Sequence, residues 1–208
     1  MDNFYTFLIA ITILTISPGA DTVMVIRNAM RGGIQDGAAT SVAICSGLFI
    51  HATVSAVGIS LIILQSAWMF TALKLLGAAY LLWLGVTTIR GQAQTFEVDH
   101  AASTNSFVMW RSLREGLLSN VLNPKPIVFY MAFLPQFIDP TGSTLSQSLQ
   151  MASIHFVISV VWLIAVAGMS VQMRQWLSNA QLVKRINQGL GFGLCSFGVL
   201  LATETARQ

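Results

Sequence analysis

The sequence predicts an all-α integral membrane protein: six transmembrane helices forming a 3+3 inverted repeat, with the first and fourth helices interrupted. Composition is the first sign. Of 208 residues, 54% are hydrophobic and only 9% charged, with a mean hydropathy of +0.69, far from the make-up of a soluble domain. The apolar residues also gather into six continuous runs, each close to the ~20 residues that cross a bilayer core as a helix. Finally, two clusters of helix breakers, Pro18-Gly19 and Asn123-Pro124-Lys125-Pro126, stand inside the first and fourth runs.

The first run, 4–26, has neither a basic leader nor a small-residue cleavage site, so it is expected to stay in the protein. The second and third, 38–64 and 67–89, are separated only by Gln65 and Ser66. A polar linker, 90–115, carrying Gln92, Glu97, Asp99 and His100, then divides the first half (1–89) from the second (116–208). The remaining runs fall at 116–138, 149–171 and 186–203, the last fenced by Arg185 and Glu204. Continuous rather than alternating apolarity favours helices, which also satisfy their own backbone in lipid. Because three is odd, the halves cross in opposite senses. No loop could hold a soluble catalytic domain, so the chain reads as one membrane domain, 1–208.

The formal charge of +3 and pI near 9.2 read as topology signals rather than as a nucleic-acid surface. Arg27 and Arg31 follow the first run, Arg90, Arg111 and Arg114 the third, and Arg174, Lys184 and Arg185 the fifth, eight in all on one side. The opposite loops, 65–66 and 139–148, carry none, and only Arg207 in the tail opposes the eight. Both termini are therefore expected outside the cytoplasm. Trp68, Trp110 and Trp176 near run ends fit either an interfacial belt or ordinary packing. Cys45 and Cys195 form no CxxC and no Cys/His cluster, and read as small buried hydrophobes; no metal site and no cofactor is predicted.

A proline within a helix removes a hydrogen bond and clashes with the preceding turn, at a cost of about 3 kcal/mol or more. In a membrane such a break persists only where the freed backbone faces protein, water or a ligand. Pro18 and Pro124 each lie about three residues to the cytoplasmic side of their span's middle, at ~1.5 Å per residue, so the breaks meet at similar depth. Matched breaks in two halves point to a transporter's solute site. Each break also carries an intramembrane charge, Asp21 or Lys125, costly to insert and expected to face the interior. A direct or water-bridged pair between them is expected, unless Asp21 instead caps the half-helix resuming at Thr22. Asp21 could equally take up a proton. Lys74 either snorkels or serves the site, and His51 is either a hydrogen-bonded core residue or a relay. His155 is a weaker candidate. Gly47, Gly58, Gly77 and Gly85 are expected at close helix contacts, and Gly189 with Gly193 at a packing or dimer seam.

The ordered segments SPGAD, RNAMRGGIQDGAA, SGLFIHATVSAVG, LKLLGAAYLLWLG and LREGLLSNVLNPKPIVFYMAFLPQFI resemble the LysE/RhtB superfamily of bacterial amino-acid exporters, especially its homoserine/threonine/lactone branch. The resemblance covers nearly the whole chain. It implies an inner-membrane exporter of amino acids or related small metabolites, driven by the proton motive force. The family's motifs fall on Ser17, Pro18, Gly19 and Asp21, and on Asn123, Pro124 and Lys125, with His51, Lys74 and Pro126 as secondary candidates. Ala20 stands where relatives commonly have proline, and Pro126 where alanine or serine is common. The rival functions are a passive channel or scaffold, a metal transporter, which lacks a ligand cluster here, and a redox carrier, whose cysteines would have to sit together.

Overall fold

The structure, a computed structural model, describes residues 2–65, 67–90, 107–170, 172, 176 and 179–205, with the side chains of most of these. Linker residues 91–106 with His100, and Ser66, Arg174 and Arg207, lie outside the described residues, as do the side chains of Lys74 and Gly77. The order is α1 (Asp2–Ile16), α2 (Ala20–Gln65), α3 (Ala67–Ile89), α4 (Met109–Val121), α5 (Pro124–Ala132), a 3-10 turn (Leu134–Phe137), α6 (Thr144–Gly168) and α7 (Ala180–Thr205). No strand occurs among the described residues.

Among the described residues two helices are long and apolar enough to cross a bilayer alone, over Ala20–Ser60 and Thr144–Gly168, and Phe4–Ile16 and Ala78–Ile89 are shorter apolar helices. The 15 residues of α1 span only about 22 Å, less than a ~30 Å bilayer core. The break at 17–19 therefore joins two half-length helices, α1 and the first arm of α2 (20–31). The break at 122–123 likewise joins α4 to α5. The first half-helix pair runs on to residue 31 rather than 26. α4 begins at Met109, inside the stretch that hydropathy assigns to the linker, because its buried face is Ser112, Gly116 and Asn120 rather than an apolar run. α7 likewise begins at Ala180, ahead of the apolar run.

The loop expected around residues 27–37 is only a corner. α2 turns at Gly32 (φ −126°, ψ 18°) and Gly33 (φ 76°, ψ −171°) before its second arm, 34–65. The Gly33 conformation is open essentially to glycine alone.

The second arm of α2 runs parallel to α4. Ser112 bonds to Asp36, a Cβ on Gly116 would meet the Thr40 carbonyl at 2.6 Å, and Asn120 packs on Gly47. Farther along, Ser55 Oγ donates to the Tyr130 carbonyl (2.8 Å). The same arm runs antiparallel to α6, with Gly37 against Ala167 and Phe49 against Phe156. α3 and α7 pair antiparallel through Gly85 against Gly191 and Leu82 against Gly198. Gly47 and Gly85 thus mark close contacts, whereas Gly58 and Gly189 face open space and Gly193 meets Ile13 of α1. The apolar core joins α1, α2, α5 and α6 through Phe7, Ile11, Ile26, Phe129, Phe133 and Val166. Trp68, Trp110 and Trp176 are all exposed.

Candidate functional site

α1 stops at Ile16 because Pro18 has no N–H to donate and its ring collides with the preceding turn. Ser17 N–H still reaches the Ile13 carbonyl (3.0 Å), but the last carbonyls of α1 need donors. Lys125 supplies them: Nζ donates to Leu14 O (2.9 Å) and Ser17 O (2.8 Å). An ammonium there also meets the negative end of the helix dipole. Lys125 is held in place by α5, whose start is capped as the sequence dictates. Asn123 Oδ1 accepts from the Lys125 backbone N–H (3.0 Å), and Pro124 takes the first position, where a missing N–H costs nothing.

Asp21 lies in the first turn of α2, at the positive end of that helix. Its carboxylate accepts from Ser119 Oγ (3.1 Å) and Asn120 Nδ2 (3.0 Å) in the last turn of α4. His51 Nε2 lies 3.1 Å from the Asn120 carbonyl, at the same helix end. The direct Asp21–Lys125 pair is not formed: Lys125 is taken by α1 carbonyls and Asp21 by α4. Nor does Asp21 cap a helix starting at Thr22, since α2 begins at Ala20 and the carboxylate turns away to α4.

Four helix ends thus converge, the C-termini of α1 and α4 and the N-termini of α2 and α5. They border a cavity of about 60 Å³, lined by Ser17, Gly19, Asp21, Asn123, Lys125 and Pro126 among others. Asn120 also lines it, and its buried Oδ1 has no hydrogen-bond partner among the described residues. Pro18 and Pro124 line a second, larger cavity of about 630 Å³, which shares Gly19, Asn123 and Lys125 with the first and runs to Arg27 and Glu115. His51 touches the first cavity only through Asn120. The position of Lys74 relative to it lies outside the described side chains.

Sequence reasoning misses the opposite wall, supplied by α6. His155 Nε2 lies 3.2 Å from Thr15 Oγ1, its Nδ1 lies 3.1 Å from Tyr130 Oη, and Thr15 is 3.2 Å from Ser159 Oγ. The imidazole stacks on Tyr130, ring centroids 5.8 Å apart. A signal existed: Ser148, Ala152, His155 and Ser159 form a small, polar, buried stripe at helical spacing in α6, as Ser112, Gly116 and Asn120 do in α4. Cys45 also lines the cavity, so it lies beside the breaks rather than away from them, whereas Cys195 packs on Leu82 and Gly85. Both thiols are free.

At the Arg27 end, charges cross-link α2, its corner and α4. Arg31 grips Asp36 with two bonds (2.8 and 2.9 Å), and Ser112 Oγ donates to Asp36 at 2.6 Å. Glu115 accepts from Arg27 (3.0 Å), Arg31 (2.9 Å), Arg111 (3.0 Å) and Asn28 (3.1 Å). Burial raises the Glu115 pKa, but the bonds from Arg111 and Arg31 and the charges of Arg31 and Arg27 outweigh it and bring the carboxyl down to about 2. Burial works against the Arg31 charge, yet Asp36 and Glu115 hold its pKa above the ordinary value.

Broken helices whose ends meet around a polar cavity, beside helices apolar and long enough to cross a bilayer, define the class of helical membrane proteins. The LysE type translocator family matches residues 12–205, and the chain belongs to it. The resemblance read from the five ordered segments is thereby borne out. An uncharacterized membrane protein, YrhP, of Bacillus subtilis (strain 168) is 30% identical over 206 residues, covering 96% of this chain and 98% of its own length. The homoserine/homoserine lactone efflux protein of Salmonella typhi is also 30% identical, over 96% of each chain. The leucine efflux protein of Salmonella typhimurium is 28% identical over 141 residues, 67% of this chain and 65% of its own. No solved structure matches the chain.

Proposed function

We propose that the protein exports amino acids or related small zwitterions, threonine- or homoserine-like, across the bacterial inner membrane by proton antiport. Six spans, arranged 3+3 with both termini periplasmic, alternate the access of one central site. Membership of a translocator family and the efflux proteins among the relatives support export. Helix directions support the inverted repeat. Exchanging spans one and four, two and five, three and six turns the parallel pair of α2's second arm with α4 into the contact of α6 with α1. A seam for a second copy falls on α7 at Gly189, whose face is open.

The carrying observation is that Asp21 and Lys125 border one cavity without neutralising each other. A zwitterion needs both. Its ammonium is matched by the Asp21 carboxylate and the unpaired Asn120 Oδ1. Its carboxylate is matched by the third N–H of Lys125, which spends only two on α1. A carboxylate that holds either the ammonium or a proton, but not both, couples the two in exchange. At about 60 Å³ the cavity takes about four to six water-sized groups, enough for an amino-acid head.

The test is efflux of preloaded labelled amino acids, threonine and homoserine included, from vesicles with and without a proton gradient. We expect gradient-dependent efflux in the wild type and at least about 100-fold slower efflux in Asp21→Asn and Lys125→Ala at matched expression, the loss of a charge-assisted bond at each end. Undiminished efflux in both variants would move the site elsewhere.

A further inference from the structure

Resting on amino-acid export through that site, and departing from its threonine- and homoserine-like substrates only in the side chain, we propose that the preferred substrate carries a larger, uncharged, apolar side chain of leucine to phenylalanine size, seated in the second cavity. The first cavity has room for the ammonium, α-carbon and carboxylate and little more, so a side chain must leave it. The second cavity adjoins the first at Gly19, Asn123 and Lys125, which line both. Gly19 keeps this junction open, since a Cβ there would sit 3.7 Å from Lys125 Nζ and 3.8 Å from its Cδ, in the passage itself.

Beyond lies a groove of about 630 Å³ formed by Met24, Leu84, Leu118 and Leu122, with the rings of Pro18 and Pro124 near the mouth; Leu118 and Leu122 are themselves exposed, so the groove is open along α4. From Ala20 to Arg27 the space extends about 10 Å along α2. Lys125 stands at the passage and is engaged with α1 and the substrate carboxylate, and the other charged lining residues, Arg27 and Glu115, stand at the far end and are already bonded. Glu115 accepts from three arginines, and Arg27 donates to Glu115, Asn28 and the Met24 sulfur. A cationic side chain therefore meets only a carboxylate already shared by three arginines, and an anionic one meets a guanidinium already bonded through Nε and Nη2. Either would lose hydration among leucines and prolines, whereas an apolar side chain is matched along its length. Met24, Leu84, Leu118 and Leu122 are then specificity-determining residues.

Purified protein in liposomes, loaded with an equimolar mixture of labelled alanine, leucine, methionine, phenylalanine, lysine and glutamate, tests this by initial efflux rates. Leucine, methionine and phenylalanine should leave at least about 50-fold faster than lysine and glutamate, the discrimination expected when a charge is refused by an apolar site. In Leu118→Trp, which fills the cavity, the phenylalanine-to-alanine ratio should fall about 10-fold, and Leu122→Ser should lower the same ratio. Wild-type protein alone gives a check that needs no variant: leucine, and not lysine, should protect it against thermal unfolding. Lysine or glutamate efflux as fast as leucine would overturn the side-chain assignment while leaving export intact. So would an unchanged ratio in both folded variants, the result expected if a lipid chain fills the groove. Failure of every amino acid to leave wild-type vesicles would overturn the export reading and this one with it.

Discussion

Replacing Glu115 by Gln keeps the side chain's shape and removes the charge on which Arg27, Arg31 and Arg111 converge. In the folded protein this carboxyl titrates at about 2 instead of the ordinary 4.5. At about 1.36 kcal/mol per tenfold change in proton affinity, that interval corresponds to about 3 kcal/mol of stability. The carboxylate is 21% exposed, so solvent already takes part of it, and we expect a loss of about 2 kcal/mol. For a chain of this length that lowers the melting temperature by about 4–8 °C. The emission of the five tryptophans during heating in detergent reports it. The sign with pH is fixed by the depressed folded value. The stabilisation is present above pH 4.5, where the unfolded chain is also ionised, and is lost as pH falls toward 2, more than half being gone by about pH 3. The gap between wild type and Glu115→Gln should therefore narrow across that window. A melting difference under about 1 °C at pH 7, or a gap that does not narrow between pH 4.5 and 3, would refute the assignment of Glu115 as the hub of this cluster.

Three further substitutions probe glycines. Gly33→Ala meets no neighbouring atom within 4 Å, so its cost is purely the φ of 76°, about 1–3 kcal/mol, and should appear as a lower melting temperature without loss of helix by circular dichroism. Gly58→Ala, in open space within a helix, should instead raise stability by about 0.5–1 kcal/mol. Gly116→Ala would place a Cβ 2.6 Å from the Thr40 carbonyl and 3.0 Å from Ala43 Cβ, and is expected to cost about 1–3 kcal/mol in the same melting assay.

The breaks at Pro18 and Asn123-Pro124 were legible because proline chemistry is local, and the capping of α5 by Asn123 follows from the same local rules. Residue counting also brings the two breaks together, and Asp21 and Lys125 line one cavity. Rotation about the helix axis was not legible. Counting cannot show that Lys125 faces the end of α1 while Asp21 faces α4, and charges alone suggested a pair that bare helix-end carbonyls prevent. Hydropathy also misplaced the start of α4, whose buried stripe is small and polar because it packs against the equally polar arm of α2 around Asp36 and Thr40. His155 was undervalued for a related reason: its partners Thr15 and Tyr130 lie 140 and 25 residues away, and a lone histidine in an apolar run carries no trace of them.

The wiring of the helix ends has a consequence for synthesis. Asp21 finds Ser119 and Asn120 only 98 and 99 residues downstream, and the carbonyls of Ser17 and Leu14 find Lys125 after 108 and 111. At about 5–20 residues per second, a ribosome needs roughly 5–20 s to cover such a distance. For that interval the first-made helix pair stands without the donors that Asp21 and the carbonyls of Leu14 and Ser17 have in the finished fold. The oldest part of the chain is thus the last to be finished, and a chain truncated before residue 119 carries Asp21 without the two donors that α4 brings to its carboxylate.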